Sequence, residues 1–495
     1  MPEREHELDG ELAHQSAHQS AHSADDDRRH PLVVDLDGTL IHSDLLWESI
    51  ALFLKKNFLR AWLLPFWLLS GKVAFKERLA REVELDPSAL PYDKTVLALV
   101  RAARARGRTV VLATGAGRRF ADQVAAHLGL FDLVLATGDG VNLTSHDKAR
   151  ALEALYGRQG YDYIGNSRAD LPVWLGCAHP LSVTARAFRL ADGRATTHSG
   201  SVRLHVGAAL FRALRPRQWL KNLLVFVPML AGHALDLPTL QASLLAFVAF
   251  SLCASSAYLL NDALDAQDDR LHPTKYQRPA ASGALPLPVA LLASPLLACA
   301  AFALCAATNL LLLVAVAVYF ASTVAYSVYL KRLLMVDIVA LAILYSLRIL
   351  GGAAATGIAP SFWLLGFSFF VFLSLALLKR HSELVNLERL GKEKTPGRGY
   401  TSADRMPVGI MGINAAFISV LIFMLYFHSG DVLDLYRTPA WLAGILPLLV
   451  FWLGRLWVLS FRGQVNEDPV LYVSRDKVSL AVVACCLALA ILASY

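Results

Sequence analysis

The chain has 495 residues, of which 55% are hydrophobic and 18% charged; it is too apolar for an ordinary soluble protein and long enough for more than one domain. The net charge of +7 resides largely in short loops between apolar spans, where it serves orientation and anion binding, so no nucleic-acid partner is called for. The six cysteines, Cys177, Cys253, Cys299, Cys305, Cys485 and Cys486, show no metal-ligand spacing, and most lie within apolar spans. They are expected to pack as small hydrophobes, without a structural disulfide.

Residues 1–30 are polar and carry the repeat Ala13-His14-Gln15-Ser16-Ala17-His18-Gln19-Ser20-Ala21-His22-Ser23. They lack the apolar stretch of a secretion signal and are expected to form a disordered tail, with weak metal binding by the histidines as the alternative. From 31 to about 190, strands and helices alternate as in an α/β domain. Leu32-Val33-Val34-Asp35-Leu36-Asp37-Gly38-Thr39 is an apolar strand ending in two carboxylates, which share a face because strand side chains alternate with period two. In parallel sheets ligands bind beyond the carboxyl ends of the strands, where Asp35 and Asp37 lie. A second strand, 109–115, ends near the hydroxyl of Thr114; a helix start at 145–149 places Lys148; a further strand, 161–167, leads through Asn166 to Asp170.

These four elements in this order resemble the haloacid dehalogenase phosphatase superfamily. The resemblance implies a Rossmann-like domain over 31–190 with a small helical cap at about 41–95, and a phosphoaspartyl mechanism. Asp35 would attack phosphorus, Asp37 would protonate the leaving oxygen and then activate water, and Thr114 with Lys148 would hold the phosphoryl group. Mg2+ would be held by Asp35, the main-chain carbonyl of Asp37 and Asp170, with Asn166 standing where the family usually has an acidic residue. An amide still offers an oxygen but removes a charge, so a catalytically inactive scaffold is the alternative. Within the cap, Phe58-Leu59-Arg60-Ala61-Trp62-Leu63-Leu64-Pro65-Phe66-Trp67-Leu68-Leu69 is too short to span a bilayer and rich in aromatics. It reads either as cap core or as a patch lying on the membrane or on a lipid chain.

A linker at 191–210 leads to a membrane domain over 211–495 with about nine apolar spans, at roughly 220–235, 239–260, 287–306, 309–328, 335–356, 360–379, 407–427, 439–460 and 478–494. With the N-terminal domain inside, the inner loops carry nearly all the basic residues and the outer loops almost none except Arg437. The positive-inside rule then places every charged motif, and the N-terminal domain, on the cytoplasmic side of the cell membrane.

The second span ends in Asn261-Asp262-Ala263-Leu264-Asp265-Ala266-Gln267-Asp268-Asp269-Arg270-Leu271-His272-Pro273-Thr274-Lys275. On a continued helix Asn261, Asp262, Asp265 and Asp269 fall within an arc of roughly 100°, aiming four oxygens one way. Hard oxygens in small number, with the remaining coordination left to water and phosphates, suit Mg2+. Arg270, Lys275 and Arg278 supply phosphate donors nearby; a plain solvated loop has no reason to repeat carboxylates on one face and then change sign. At the inner end of the sixth span, Lys379, Arg380 and Glu383 point within about 100° of one another. The following loop adds Tyr400. Arg348, inside the fifth span, is expected to face the bundle interior near the active site or a carboxylate such as Asp337.

Residues 210–495 resemble the UbiA-type intramembrane prenyltransferase superfamily, on Asn261-Asp262, Asp265, Asp269-Arg270, His272-Pro273, Lys275, Arg278-Pro279 and Gly283. The second aspartate-rich motif of common members is replaced by Lys379-Arg380 and Glu383-Leu384, which is similar to the branch that makes polyprenyl-phosphate phosphoribose. The resemblance implies Mg2+-dependent transfer of phosphoribose from phosphoribosyl diphosphate to a polyprenyl phosphate. Asn261, Asp262, Asp265 and Asp269 would bind the metal and diphosphate. Arg270, Lys275, Arg278, Arg348, Lys379, Arg380 and Tyr400 would surround the substrates, and Glu383 would orient the basic pair. The fused phosphatase would then remove the 5-phosphate, leaving polyprenyl-phosphoryl ribose for an arabinose-donor pathway of the cell envelope. Two other classes remain: an aromatic polyprenyltransferase of quinone or haem biosynthesis, and a membrane transporter or scaffold with an inactive phosphatase domain. The sequence leaves the oligomeric state open.

Overall fold

The computed structural model describes residues 30–494 apart from 139–141, 201–204, 273, 392, 394–397, 428, 430–431, 433–434 and 466–467. Apart from His30, the tail expected at 1–30 lies outside the described residues, as do part of the expected linker and Pro273. The chain divides into two compact units: Met1–Ala213 with Asp262–Leu291, and Leu214–Asn261 with Leu292–Tyr495.

The first unit is organised by a parallel sheet of β1 (Leu32–Val34), β2 (Val110–Gly117), β3 (Leu133–Thr137), β4 (Asp162–Gly165), β5 (Pro180–Ser182) and β6 (Thr197–His198), in the order β3-β2-β1-β4-β5-β6. Period-two alternation divides its strands between two apolar layers. Leu32, Val34, Val110 and Leu112 point into one, with Phe53, Trp67, Phe75 and Leu79 of the segment following β1. Val33, Val111, Ala113 and Tyr163 point into the other, with Leu152 and Trp174. A central strand covered on both faces must be apolar throughout, which is why Leu-Val-Val precedes the first carboxylate.

Between β1 and β2 the chain forms the helices Leu45–Lys56, Leu63–Leu69 and Lys72–Glu82. Asp44 starts the first of them, its carboxylate accepting the Leu46 and Trp47 amides at 2.8 and 3.3 Å. Ahead of the sheet, Arg108 donates to Asp162 at 2.5 Å and to the His30 carbonyl at 3.0 Å, tying the approaches to β1, β2 and β4 together.

Eight helices among the described residues are long and apolar enough to cross a membrane: Leu237–Leu264, Leu287–Ala306, Leu310–Val328, Val336–Thr356, Phe362–Arg389, Ser402–Phe427, Pro439–Phe461 and Lys477–Ser494. The protein is therefore a multi-pass membrane protein. The segment expected to span at 220–235 forms instead a 3-10 helix, Pro216–Phe226, followed by the short helix Val227–Ala231, and packs on Val336–Thr356. Pro216 and Pro228 each remove a backbone donor there. Within the second unit, serines join the helices: Ser256 donates to the Ser294 carbonyl at 2.7 Å, and Ser374 donates to the Gly412 carbonyl at 2.9 Å while accepting from the Trp457 indole at 3.0 Å. A Cβ on Gly412 would stand 2.1 Å from the Trp457 ring, so the absence of a side chain lets these helices approach.

Replacing Arg108 by Ala leaves Asp162 buried with only the edge of His179, 2.8 Å away, for a partner. The expected loss is about 3–5 kcal/mol for breaking a buried pair. Limited proteolysis of the purified full chain over a temperature ramp should show the N-terminal domain cleaved at lower temperature, with the membrane helices unaffected.

Candidate functional site

The first unit holds a cavity of about 320 Å³ at the carboxyl ends of its strands, lined by Asp35, Asp37, Lys76, Gly115, Lys148, Asn166 and Asp170 among others. Asp35 follows β1 directly and is buried. Lys148, buried on the helix Ser145–Tyr156, donates to Asp35 at 2.7 Å and to the Tyr163 hydroxyl at 3.0 Å; that hydroxyl donates to Asp170 at 2.7 Å. The second Asp170 oxygen accepts the main-chain amides of Asn166 and Ser167, each at 3.0 Å. Asp37 accepts the Leu45 amide at 2.8 Å. Thr114, fully buried in β2, accepts the Ala116 amide at 3.0 Å. Gly38 has φ +70°, and a Cβ there would lie 2.0 Å from the Asn166 amide nitrogen. A residue without a side chain is thus required both by the turn and by the close approach of Asn166.

The electrostatics are those of carboxylates short of cations. Burial pushes the Asp35 carboxyl up to about 6, against the opposing pull of Lys148. Burial, with Asp44 and Asp35 close by, lifts Asp37 well above the usual carboxylate range. Burial also lowers the Lys76 ammonium, which donates to the Gly115 carbonyl at 2.6 Å. Among the described residues no three His, Cys, Asp or Glu side chains form a ready-made metal cage. The donor chemistry nevertheless fits Mg2+, which takes few carboxylates and completes its shell with carbonyl, water and phosphate oxygens. Asp35, the Asp37 carbonyl, Asn166 and Asp170 are the residues that would hold it.

In the same unit, the aspartate segment is not one continued helix. Leu237–Leu264 ends, Asp265 takes φ −92° and ψ 6°, and a new turn of helix runs Ala266–Arg270. The break parts the carboxylates that a continuous helix would crowd at i, i+3 and i+4 spacing. Arg278 lies 3.3 Å from Asp262 and 2.6 Å from Asp269, while Lys55 lies 3.6 Å from Asp265 and 2.6 Å from Asp268. Two buried carboxylates converging on a single guanidinium nitrogen are an all-oxygen donor set that also fits Mg2+. Arg270, expected among the phosphate donors, instead donates to the Ala281 and Ala89 carbonyls at 2.7 and 3.1 Å and to Glu48 at 2.6 Å. Its guanidinium braces the segment against the cap. Lys275, half-buried in the turn Lys275–Gln277, lies close enough to Asp269 to stabilise its charge.

In the second unit the basic residues form two groups. Lys379 and Lys221 both donate to Asp468, at 3.3 and 2.7 Å. Burial alone would raise the Asp468 carboxyl, but the two lysines outweigh it and hold it below the usual carboxylate range. Arg380 is fully buried, pairs with Asp337 at 2.5 Å and with Glu383, and lies over the Tyr400 ring. The Tyr400 hydroxyl donates to Asp337 at 2.6 Å, and Arg398 stands 3.7 Å from both carboxylates. Arg380 and Tyr400 therefore belong to a closed internal network, whereas the Lys379 side chain keeps 32% exposure. Arg348 does not meet Asp337: it donates to Asn222 at 2.9 Å, to the Tyr319 hydroxyl at 2.8 Å and to the Leu344 carbonyl. Both residues lie on the helix Val336–Thr356, where eleven positions at a rise of about 1.5 Å each put them too far apart to pair. Asn261 accepts from Lys331 at 3.4 Å.

Lys76, Tyr163, Lys221 and Asp468 were not among the site residues expected from the sequence. Of these only Tyr163 carried a signal, as the inward residue of β4 two positions before Gly165.

Residues 223–474 match the UbiA prenyltransferase family, and residues 32–174 match the haloacid dehalogenase-like hydrolases. An uncharacterized protein of Sinorhizobium fredii is 36% identical over 464 residues, covering 92% of this chain and 89% of its own. The nodulation protein NoeC of Azorhizobium caulinodans is 37% identical over 284 residues, 56% of this chain and 90% of its own. The decaprenyl-phosphate phosphoribosyltransferase of Mycolicibacterium smegmatis is 39% identical over 283 residues, 55% of this chain and 87% of its own. The first similarity is too long to be confined to either half, so it extends to the fusion itself.

Because its folded pKa is depressed, Asp468 contributes stability that is fully present above the ordinary carboxylate range and is lost as pH falls through the folded value. Asp468→Ala at neutral pH should therefore cost about 3 kcal/mol by leaving the buried Lys221 and the partly exposed Lys379 without their counterion. The unfolding midpoint in detergent should drop at pH 7, and Lys221→Met added to Asp468→Ala should recover part of the loss.

Proposed function

The chain belongs to the UbiA prenyltransferase family, with a haloacid dehalogenase-like domain fused ahead of the membrane helices, and from that premise we propose a two-step synthesis of a lipid-linked sugar. The membrane half transfers phosphoribose from phosphoribosyl diphosphate to a polyprenyl phosphate, and the N-terminal domain removes the 5-phosphate. The observation that carries the reading is the pair of lysines, Lys379 and Lys221, sharing one aspartate. Cations there suit an acceptor that is itself a phosphate, whereas a second diphosphate bound through metal calls for more carboxylates. The 39% identity to a decaprenyl-phosphate phosphoribosyltransferase supports the same reading.

In the first step an oxygen of the lipid phosphate forms a bond to C1 of the ribose as the bond from C1 to the diphosphate breaks. Asp262, Asp265 and Asp269 are the residues that would hold Mg2+ at the diphosphate end, where the ion would supply charge neutralisation for the departing group. Arg278, already at Asp262 and Asp269, is placed to follow the diphosphate. Lys379 and Lys221 hold the lipid phosphate. The acceptor is an anion, so it needs no strong base, and positioning provides much of the rate. Arg380, Glu383, Arg398 and Tyr400 keep the helix bearing Lys379 in place from within.

In the second step Asp35 takes the phosphoryl group and Asp37, its carboxyl raised by burial, gives a proton to the ribose 5-oxygen. Lys148 holds Asp35 in line through their 2.7 Å contact. Asp37 then takes a proton from water as the acyl phosphate is hydrolysed. The basic inner loops orient the protein with both sites on the cytoplasmic face of the cell membrane.

The full chain in lipid nanodiscs, given phosphoribosyl diphosphate, a polyprenyl phosphate and Mg2+, should yield polyprenyl-phosphoryl ribose by mass spectrometry. Asp35→Asn should stop at the 5-phosphorylated lipid with the second step slowed at least about a thousandfold, and Asp262→Ala should abolish the first. Consumption of a prenyl diphosphate with an aromatic acceptor, and none of phosphoribosyl diphosphate, would sink the reading.

A further inference from the structure

The unit built on the parallel sheet includes the ends of two membrane helices: residues 262–264 close the span Leu237–Leu264, and residues 287–291 open the span Leu287–Ala306. Lys55, at the end of the cap helix Leu45–Lys56, meets Asp268 at 2.6 Å and Asp265 at 3.6 Å. Asp265 is the first residue after the span. The end of that cap helix therefore stands at the level where the apolar chain gives way to polar chain.

Three residues after Lys55 the cap turns outward and apolar. Leu59 is 90% exposed and Leu69 84%, and Trp62, Phe66 and Leu68 are each more than half exposed. The helix Leu63–Leu69 already buries Leu63, Leu64 and Trp67 against the domain core, so it is apolar all round with protein on one side only. A helix of that kind ordinarily lies inside something. Flanking it in the chain are the exposed cations Lys56, Arg60 and Lys72, of which Arg60 stands 3.6 Å from Glu82. Apolar and aromatic side chains at the centre, flanking cations, and attachment beside a span end are the chemistry of a segment lying in the headgroup zone of an anionic bilayer.

We propose that residues 58–69 anchor the cap in the membrane interface, and that the cavity at Asp35 consequently takes phosphate esters carried on lipids in that surface. Patch and cavity share one helix: Lys72 opens Lys72–Glu82 beside the patch, and Lys76, one turn on, lines the cavity. The substrate class rests on the phosphatase reading, whereas the anchor does not.

The anchor is tested without turnover by placing the photocrosslinker benzoylphenylalanine at position 59, 66 or 69 of the full chain in nanodiscs of phosphatidylglycerol or phosphatidylcholine. Leu296, 70% exposed within a span, and Leu155, 53% exposed on the helix Ser145–Tyr156, serve as positive and negative reference positions. Lipid adducts at 59 and 69 should match those at 296, exceed those at 155 several-fold, and rise further in phosphatidylglycerol. Adducts no more frequent than at 155, or crosslinks joining two copies or returning to the same chain, would overturn the anchor. For the substrate class, the combined variant Lys56→Glu, Arg60→Glu, Lys72→Glu should hydrolyse a soluble aryl phosphate at the parent rate and a lipid-borne phosphate several-fold more slowly. An equal effect on both would overturn that assignment while leaving the crosslinking result to stand or fall alone.

Discussion

Asp35 and Asp262 carry negative charge where water reaches them poorly, and a charge so placed needs a partner or must give up its ionisation. That requirement explains the neighbours of the functional side chains in both units. Lys148 answers Asp35, Arg278 answers Asp262 and Asp269, Lys55 answers Asp265 and Asp268, and Asp468 answers Lys221 and Lys379. Cations that are themselves fully buried hold the structure; in the proposed function, partly exposed cations exchange their partners for a substrate's charge. Arg380, enclosed by Asp337, Glu383 and Tyr400, is of the first kind. Arg278 and Lys379, each partly exposed, are of the second.

The two groups of carboxylates arise in different settings, and the donor chemistry of each fits Mg2+. At the sheet, apolar layers on both faces require β1 to be apolar and wholly buried, so its first carboxylate emerges at the rim already stripped of water. At the membrane helices the carboxylates follow at once on an apolar span, and the helix must break at Asp265 before they can be shared out between Arg278 and Lys55. Both arrangements leave oxygen donors with too little positive charge nearby, the condition under which a divalent ion and a phosphate bind together. Arg270, joined to Glu48 and to the Ala89 carbonyl, ties the aspartate segment to the cap of the phosphatase-like domain, so the fusion is built into the packing of that segment.

Much of this was legible in the sequence wherever function coincides with a local pattern. Asp35 and Asp37 follow an apolar strand, Lys148 opens a helix, and Asp170 follows β4, each positioned by its own element, whereas Thr114, expected near a strand end, lies inside β2 and is not among the residues lining the cavity. The apolar runs gave the spans for the same reason, although at 220–235 apolar content did not reveal that much of the run winds as a 3-10 helix followed by a short helix. What depends on distant contacts was not legible. Asp468 is one of two adjacent acidic residues, Glu467-Asp468, and nothing near it in the sequence announces that it neutralises lysines from two other elements. Arg348 faces the bundle interior as expected, but of the partners the sequence suggested Asp337 is not one: it is held by Asn222, Tyr319 and a carbonyl. Exposure of Leu59, Trp62 and Leu69 was equally hidden, since composition cannot tell a cap core from a cap surface.

In the proposed function, carboxylates at the end of the helix Leu237–Leu264 grip a diphosphate through a divalent ion. Equilibrium binding of phosphoribosyl diphosphate to the full chain in nanodiscs, with Mg2+ and with chelator, measures this directly. Binding should require Mg2+ and disappear in Asp262→Ala and in Asp265→Ala while surviving in Asp35→Asn. Binding of equal strength without the metal, or in the Asp262 and Asp265 variants, would contradict it.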